Sequence, residues 1–193
     1  MFARDAKKHE EVWLLDRLDE FGFEDPAFRS RDYVLAVEED TGERVGFARF
    51  RVHTGDATEG DRRVCEFTNI GVFEDWRGEG VGAHLLEHLV EEARDQGLES
   101  AYALTDEGDY LEQFGFERVP EGELPAPLPD RLETVRENRP DAEPLFLAFS
   151  EFRIPARLRE RFEDEDAESE PEESAEDFGI DPDSATYKYD TGG

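Results

Sequence analysis

The chain has 193 residues, 37% of them hydrophobic and 38% charged, which is enough apolar content to build one core of ordinary domain size. Its 52 acidic residues against 22 basic give a formal net charge of -30, which repels nucleic-acid phosphates and excludes DNA or RNA as a partner. No stretch is apolar enough to span a membrane, the start Met1 to Lys8 has no signal-peptide pattern, and Cys65 is the only cysteine, so the expectation is a cytoplasmic protein with no membrane partner and no disulfide.

Acidic residues are spread along the whole chain, while lysine occurs only at Lys7, Lys8 and Lys188 and the other basic residues are arginine. This composition suits a surface kept hydrated in concentrated salt, where screening removes much of the self-repulsion, and reads as halophilic and haloarchaeal in type. The acidity is therefore set aside as evidence for a binding site. His9, His53, His84 and His88 form no tight ligand cluster in the sequence, and no metal is expected.

In chain order, Phe2 to Arg4 is a short strand, and Glu10 to Phe21 is a helix with Val12, Trp13, Leu15, Leu18 and Phe21 at roughly helical spacing. After the break at Asp25-Pro26, Tyr33 to Val37 and Val45 to Val52 form a hairpin about the turn Glu39 to Gly42. Residues 54 to 63 are a polar loop, and Val64 to Phe73 is the next strand. Gly80 to Ala93 carries Val81, Leu85, Leu86, Leu89 and Val90 in one stripe, a helix stopped near Gly97, and Leu98 to Leu104 is again a strand. A short helix at Gly108 to Phe114, a strand at Phe116 to Val119, a helix at Asp130 to Asn138 and a strand at Leu145 to Phe149 complete the core, which should end near Phe152. From Arg159 onward the acidic run cannot bury enough apolar surface to offset ordering and is expected to be disordered, giving a domain over 1-155 and a tail over 156-193.

The segment Arg77-Gly78-Glu79-Gly80-Val81-Gly82-Ala83 joins a strand to a helix, where unpaired backbone N-H groups and the positive helix end can hold a phosphate. A P-loop is excluded because no Lys-Ser or Lys-Thr follows the glycines. Gly78, Gly80 and Ala83 fit the dinucleotide spacing, but that fingerprint needs the strand to run into the first glycine, and Glu74 to Arg77 intervene. A glycine turn without a ligand is the remaining alternative.

Arg77, Gly80 and Gly82 match the coenzyme A loop of a known family, which reads Gln or Arg, any, any, Gly, any, Gly or Ala; Cys65 to Val72 is similar to that family's fourth strand, and Tyr110 to Phe116 to its Phe-Tyr-x-x-x-Gly-Phe segment. On these residues most of 1 to 150 resembles the GNAT N-acetyltransferases. The resemblance implies an α/β GNAT fold, a mixed, mostly antiparallel sheet flanked by helices and splayed between strands four and five. It also implies an enzyme with acetyl-CoA as co-substrate. The coenzyme A contacts it implies are the amides of Arg77, Gly78, Glu79, Gly80, Val81, Gly82 and Ala83 at the pyrophosphate, and the backbone of Ile70, Gly71 and Val72 along the pantetheine arm, with the Ile70 N-H on the thioester carbonyl.

An alkyl amine of pKa about 10 must lose a proton before it attacks. Glu66, eleven positions before Arg77, stands where some relatives of this family carry a catalytic glutamate, and strict alternation puts it on the face of Thr68, Ile70 and Val72, an apolar setting that raises a carboxyl pKa. The family's thiolate-protonating tyrosine position is occupied by Leu111, which leaves Tyr110 next to it, Tyr102, solvent or the substrate's own ammonium proton as the source; as a helical neighbour Tyr110 points about 100 degrees away, and packing in the core is its alternative role.

The proline-rich link Pro120 to Pro129 is expected to form part of the acceptor wall, and with Phe114 to Val119 it resembles the amino-acid branch of the family, which implies a small amine or amino acid as acceptor. Phe178 to Tyr189 is apolar enough to dock on its own domain, on a second protomer in a homodimer or on another protein, against the alternative of an unstructured end. A coenzyme A-binding or protein-interaction module without catalysis is the rival reading.

Overall fold

The computed structural model describes residues 1–55 and 62–159. Eleven main elements follow in chain order: β1 (Phe2–Asp5), α1 (Glu11–Phe21), β2 (Tyr33–Val37), β3 (Arg44–Thr54), β4 (Arg63–Val72), α2 (Val81–Asp95), β5 (Ser100–Thr105), α3 (Gly108–Glu112), β6 (Glu117–Arg118), α4 (Leu128–Asn138) and β7 (Glu143–Ala148). The seven strands form one sheet in the order β1-β2-β3-β4-β5-β7-β6. Every pairing is antiparallel except β4 with β5, which meet in parallel at Glu66 opposite Tyr102. The α/β architecture is the one expected, including the splay after strand four.

The helices cover the two faces because their apolar stripes demand it. α2 buries Leu85, Leu86, Leu89, Val90 and Ala93 against Val34, Ala36, Phe50, Phe67 and Ala103. Full burial of each large aliphatic is worth about 1.5–3 kcal/mol, so this contact anchors the fold. α1 lays Leu14 and Leu18 on Tyr33, Leu35, Val37 and Phe47 of the other face, and α4 sets Leu128 and Leu132 beside it on Val64 and Leu104. Glycines end the first two helices: Gly22 (φ 67) donates to Leu18 and Asp19, and Gly97 (φ 79) follows the last turn of α2 while Leu98 N returns to Ala93 O.

Differences from the sequence reading are small and local. α4 starts at Leu128, two residues early, because Pro129 fits an N-terminal turn, which has no use for its missing N-H. Packing also runs past Phe152: Ile154 and Leu158 are buried in the main core. The acidic run and the Phe178 to Tyr189 segment lie outside the described residues.

Candidate active site

The site starts from an irregularity in β4. Phe47 pairs with Gly71 but Arg49 pairs with Thr68, so β4 carries one extra residue, and Asn69 takes φ 51 to accommodate it. Asn69 is locked there by its side chain: Nδ2 donates to Tyr33 Oη (2.9 Å), and Tyr33 donates onward to Asp25 (2.6 Å). The bulge switches the alternation. Glu66 faces α4 through Arg131, and Gly71 lies beneath the Phe47 ring of the α1 cluster, whereas Ile70 and Val72 pack against the α2 core. The expected shared face of Glu66, Ile70 and Val72 is therefore corrected.

Beyond Glu66 opposite Tyr102 no further β4–β5 pairing is present, and a cleft of ≈ 600 Å³ opens between the strands. One wall is Phe67 to Ile70 with Val72, and the other is Ala103 to Thr105. Backbone groups of the bulged segment are left facing a cleft that an extended ligand arm can fill as an added strand.

At one end of the cleft stands the start of α2. Gly78 (φ 79) and Gly80 (φ 84, the N-cap) turn the chain into the helix in a backbone region that side chains disfavour. No side chain caps this end, and the first turn holds no acidic residue, in a protein of net charge -30. The amides of Val81, Gly82 and Ala83 have no carbonyl partner within the helix, so the positive end is open to an anion. Arg77 is exposed and ties its Nε to Val72 O (3.3 Å), and Arg157 flanks the same cleft. Of the residues expected to hold coenzyme A, Ile70, Val72, Arg77, Gly78, Gly80, Val81 and Gly82 line the cleft, while Gly71, Glu79 and Ala83 do not.

Tyr110 lines the cleft and is 38% exposed, so its core-packing alternative is not realised. A Cβ on Gly82 would lie 2.3 Å from Tyr110 Oη, which makes the glycine necessary for the hydroxyl to reach the helix start. Burial raises the Tyr110 pKa, partly offset by Arg157, so the phenol stays a proton donor. Leu111 is buried, and Tyr102 packs with Phe146 under α4 away from the cleft.

Glu66 is 0% exposed and does not line the cleft. Its Oε2 lies 2.7 Å from His53 Nε2, and Arg131 grips it with Nη2 (3.0 Å, Oε1) and Nε (3.3 Å, Oε2). Burial pushes the carboxyl up, but the hydrogen bonds and charges of His53 and Arg131 outweigh it and the net shift is downward. This reverses the expected rise, because the setting read as apolar from the strand contains two hydrogen-bonding partners, His53 from β3 and Arg131 from α4. Arg131 itself lines the cleft with Nη1 unpartnered among the described residues.

The rest of the far wall is Phe21 to Glu24 from the end of α1, and Thr134, Val135, Asn138 and Arg139 from α4. Arg139 is held over Phe23 at 4.5 Å and bonded to Asp106 (2.8 Å). The proline-rich link contributes none of these residues; it carries α4, which does, and buries Leu124.

Residues 2–116 match the family model described as acetyltransferase (GNAT) family. The chain belongs to that family. Members are acetyl-CoA-dependent acetyltransferases, and this chain has a cleft, a bulged strand and an open helix start. Its fold is similar to that of N-acetylglutamate synthase from Neisseria gonorrhoeae complexed with coenzyme A and N-acetyl-glutamate, with TM-score 0.59 and 21% identity over 76% of this chain. The chain spans only 34% of that protein's length. It is also similar to Rv2747 from Mycobacterium tuberculosis in complex with CoA, with TM-score 0.61, 18% identity, and coverage of 77% of this chain and 99% of that one. Arabidopsis thaliana Naa50 in complex with a bisubstrate analogue is similar at TM-score 0.50 and 16% identity, covering 76% and 97%. No helix among the described residues of the acetyltransferase is long and apolar enough to cross a membrane.

Sequence reasoning missed Arg131, Arg157, Phe23, Glu24 and the bulge at Asn69 as parts of the site. Arg157 was placed in the tail by the acidic composition that follows it, and Arg131 carries no motif. The run Thr68-Asn69 offered one signal, since Asn is among the few residues that tolerate positive φ. On the outer surface Asp5, His88 and Glu92 bring ligand atoms within 4.8 Å of one another, away from this cleft.

Proposed function

We propose that the enzyme transfers acetyl from acetyl-CoA to the amine of a small acceptor that carries a carboxylate, an amino acid or a close relative, by direct attack on the thioester. The observation that carries the acceptor class is Arg131, a cation fixed in the cleft wall by Glu66 with Nη1 left for a ligand. Thr134, Asn138 and Arg139 surround it with further donors. The Neisseria and Arabidopsis structures were solved with an acetylated amino acid and a peptide-bearing analogue, which supports an amine acceptor of this kind.

In this reading the amides at the start of α2 and Arg77 bind the pyrophosphate, the backbone of Ile70 and Val72 aligns the arm, and the Ile70 N-H polarises the thioester carbonyl. Tyr110 protonates the departing thiolate. Glu66 is a positioning residue: a buried carboxylate of lowered pKa behind Arg131 is a poor acceptor for an ammonium proton. Glu24, a carboxylate on the acceptor wall, takes that proton through water.

The test is thiol release from acetyl-CoA across matched pairs of amino acids and their decarboxylated amines. Turnover should favour the carboxylate member by roughly 10²-fold in kcat/KM, and Arg131→Met should erase the preference mainly through KM. Equal turnover of both members refutes the acceptor class. Tight coenzyme A binding with no turnover of any acceptor would instead support the non-catalytic reading.

A further inference from the structure

A second cavity, of ≈ 790 Å³, lies apart from the cleft along the free edge of β3. β2 stops pairing at Tyr33 opposite Arg49, because the chain before it turns aside through Ser30–Asp32, and β3 continues to Thr54 with β4 on one side only. The resulting groove is bounded by that edge, by residues 27–32 and by Pro127.

Its charge is opposite to that of the protein. Arg29, Arg31, Arg49 and Arg51 line it beside His53, against Asp32 and Glu92, in a chain with 52 acidic and 22 basic residues. Asp32 is used internally, by Arg29 at 2.9 Å and Arg49 at 3.4 Å, and Arg49 also pairs with Asp25. Arg31 and Arg51 have no hydrogen bond or ion pair among the described residues. Arg51 is half-buried and stands opposite Glu66 across the strands, but Glu66 is already held by His53 and Arg131. Burial first, then the guanidinia of Arg131 and Arg49, lower the Arg51 pKa against the opposing pull of Glu66 and Asp25, and the net shift is downward. Arg49 Nε is buried without an acceptor.

Leaving the half-buried Arg51 without a partner and the Arg49 Nε orphaned is unfavourable unless an anion completes the site, since desolvated charge without a partner destabilises the fold, and exposed Arg31 adds a second open guanidinium to the same groove. A polyanion is excluded by the net charge of -30, which repels any extended negative surface. Two open guanidinia match two negative charges on one small molecule. We propose that the β3 groove is a second ligand site, for a small dianion such as a dicarboxylate or a phosphate monoester, held by Arg31 and Arg51. It borders the network that fixes Arg131, because His53 on the groove wall is bonded to Glu66.

Calorimetric titration of the full chain tests this with succinate and with inorganic phosphate as probes, at constant ionic strength and with coenzyme A saturating so that the α2 loop is filled. At least one dianion should bind, tenfold or more tighter than acetate. Arg51→Met should weaken it tenfold or more and Arg31→Gln severalfold; tighter binding of succinate assigns a dicarboxylate, tighter binding of phosphate a phosphomonoester. Neither substitution endangers the fold, since one removes an unpaired charge and the other is at an exposed position. The proposal is overturned if neither dianion binds the coenzyme A-saturated protein, or if both variants bind as wild type does. Arg31 and Arg51 line the groove and not the cleft, so weaker binding in their variants assigns the dianion to the groove and unchanged binding assigns it to Arg131, whichever acceptor the enzyme takes.

Discussion

Replacing Glu66 by glutamine keeps the shape of the side chain and removes its charge at a fully buried position. His53 at 2.7 Å and Arg131 at 3.0 Å then lose their shared anion, and Arg131 is itself largely buried, with 14% of its side chain exposed. Breaking a buried pair by removing one partner costs about 3–5 kcal/mol. For a chain of this size each kcal/mol moves Tm by about 2–4 °C, so Glu66→Gln should lower Tm by roughly 6–20 °C. The pH dependence has a definite sign. The folded carboxyl lies below its unfolded value, so its stabilisation is fully present above the unfolded pKa of about 4.3 and is lost as pH falls through the lowered folded value. The gap between wild type and Glu66→Gln, measured by urea unfolding from pH 7 to pH 3, should therefore be wide at neutrality and close in the acid. Adding Arg131→Met should recover part of the loss, since both members of the pair are then gone. A gap below 1 kcal/mol at pH 7, or one that stays constant down to pH 3, refutes the account of a buried, shared carboxylate. Kinetics on the same variant separate its roles: an effect mainly on acceptor KM fits positioning of Arg131, whereas loss of kcat with loss of a pH limb and unchanged KM would make Glu66 the base.

Tyr110→Phe removes one hydroxyl from a partly exposed ring, so stability should hold while kcat falls about 10²-fold and coenzyme A affinity stays constant; unchanged kcat would exclude it as the proton donor. Gly80→Ala puts a side chain at φ 84, which destabilises by about 1–2 kcal/mol, and coenzyme A binding by calorimetry should weaken at least tenfold as the loop relaxes. Raising KCl from 0.1 to 2 M should raise Tm, because the screening length shrinks from about 10 Å to under 3 Å around a chain of net charge -30; a falling Tm would argue against the halophilic reading.

Periodicity and turn chemistry were local, and they sufficed for the framework. The stripe Val81, Leu85, Leu86, Leu89 and Val90 defines α2 wherever it packs, and Gly22 and Gly97 stop helices by their own backbone preferences. The loop proposed to hold coenzyme A was equally legible, since an uncapped, glycine-rich helix start can bind anions through amides adjacent in sequence. The chemistry of Glu66 was not legible there. Its neighbours on the strand are apolar, but its pKa is set by His53 and by Arg131, 65 residues away, and Coulomb and hydrogen-bond terms depend on distance in space. The same holds for the bulge at Asn69, which appears only when β4 is forced to pair with β3, and for the unpaired Arg51, whose isolation is visible only once Glu66 is seen to be taken. Sequence thus determined the elements and the open helix start, which rest on contacts within a few residues, while tertiary structure decided the charges that surround the proposed acceptor site, which are assembled from distant parts of the chain.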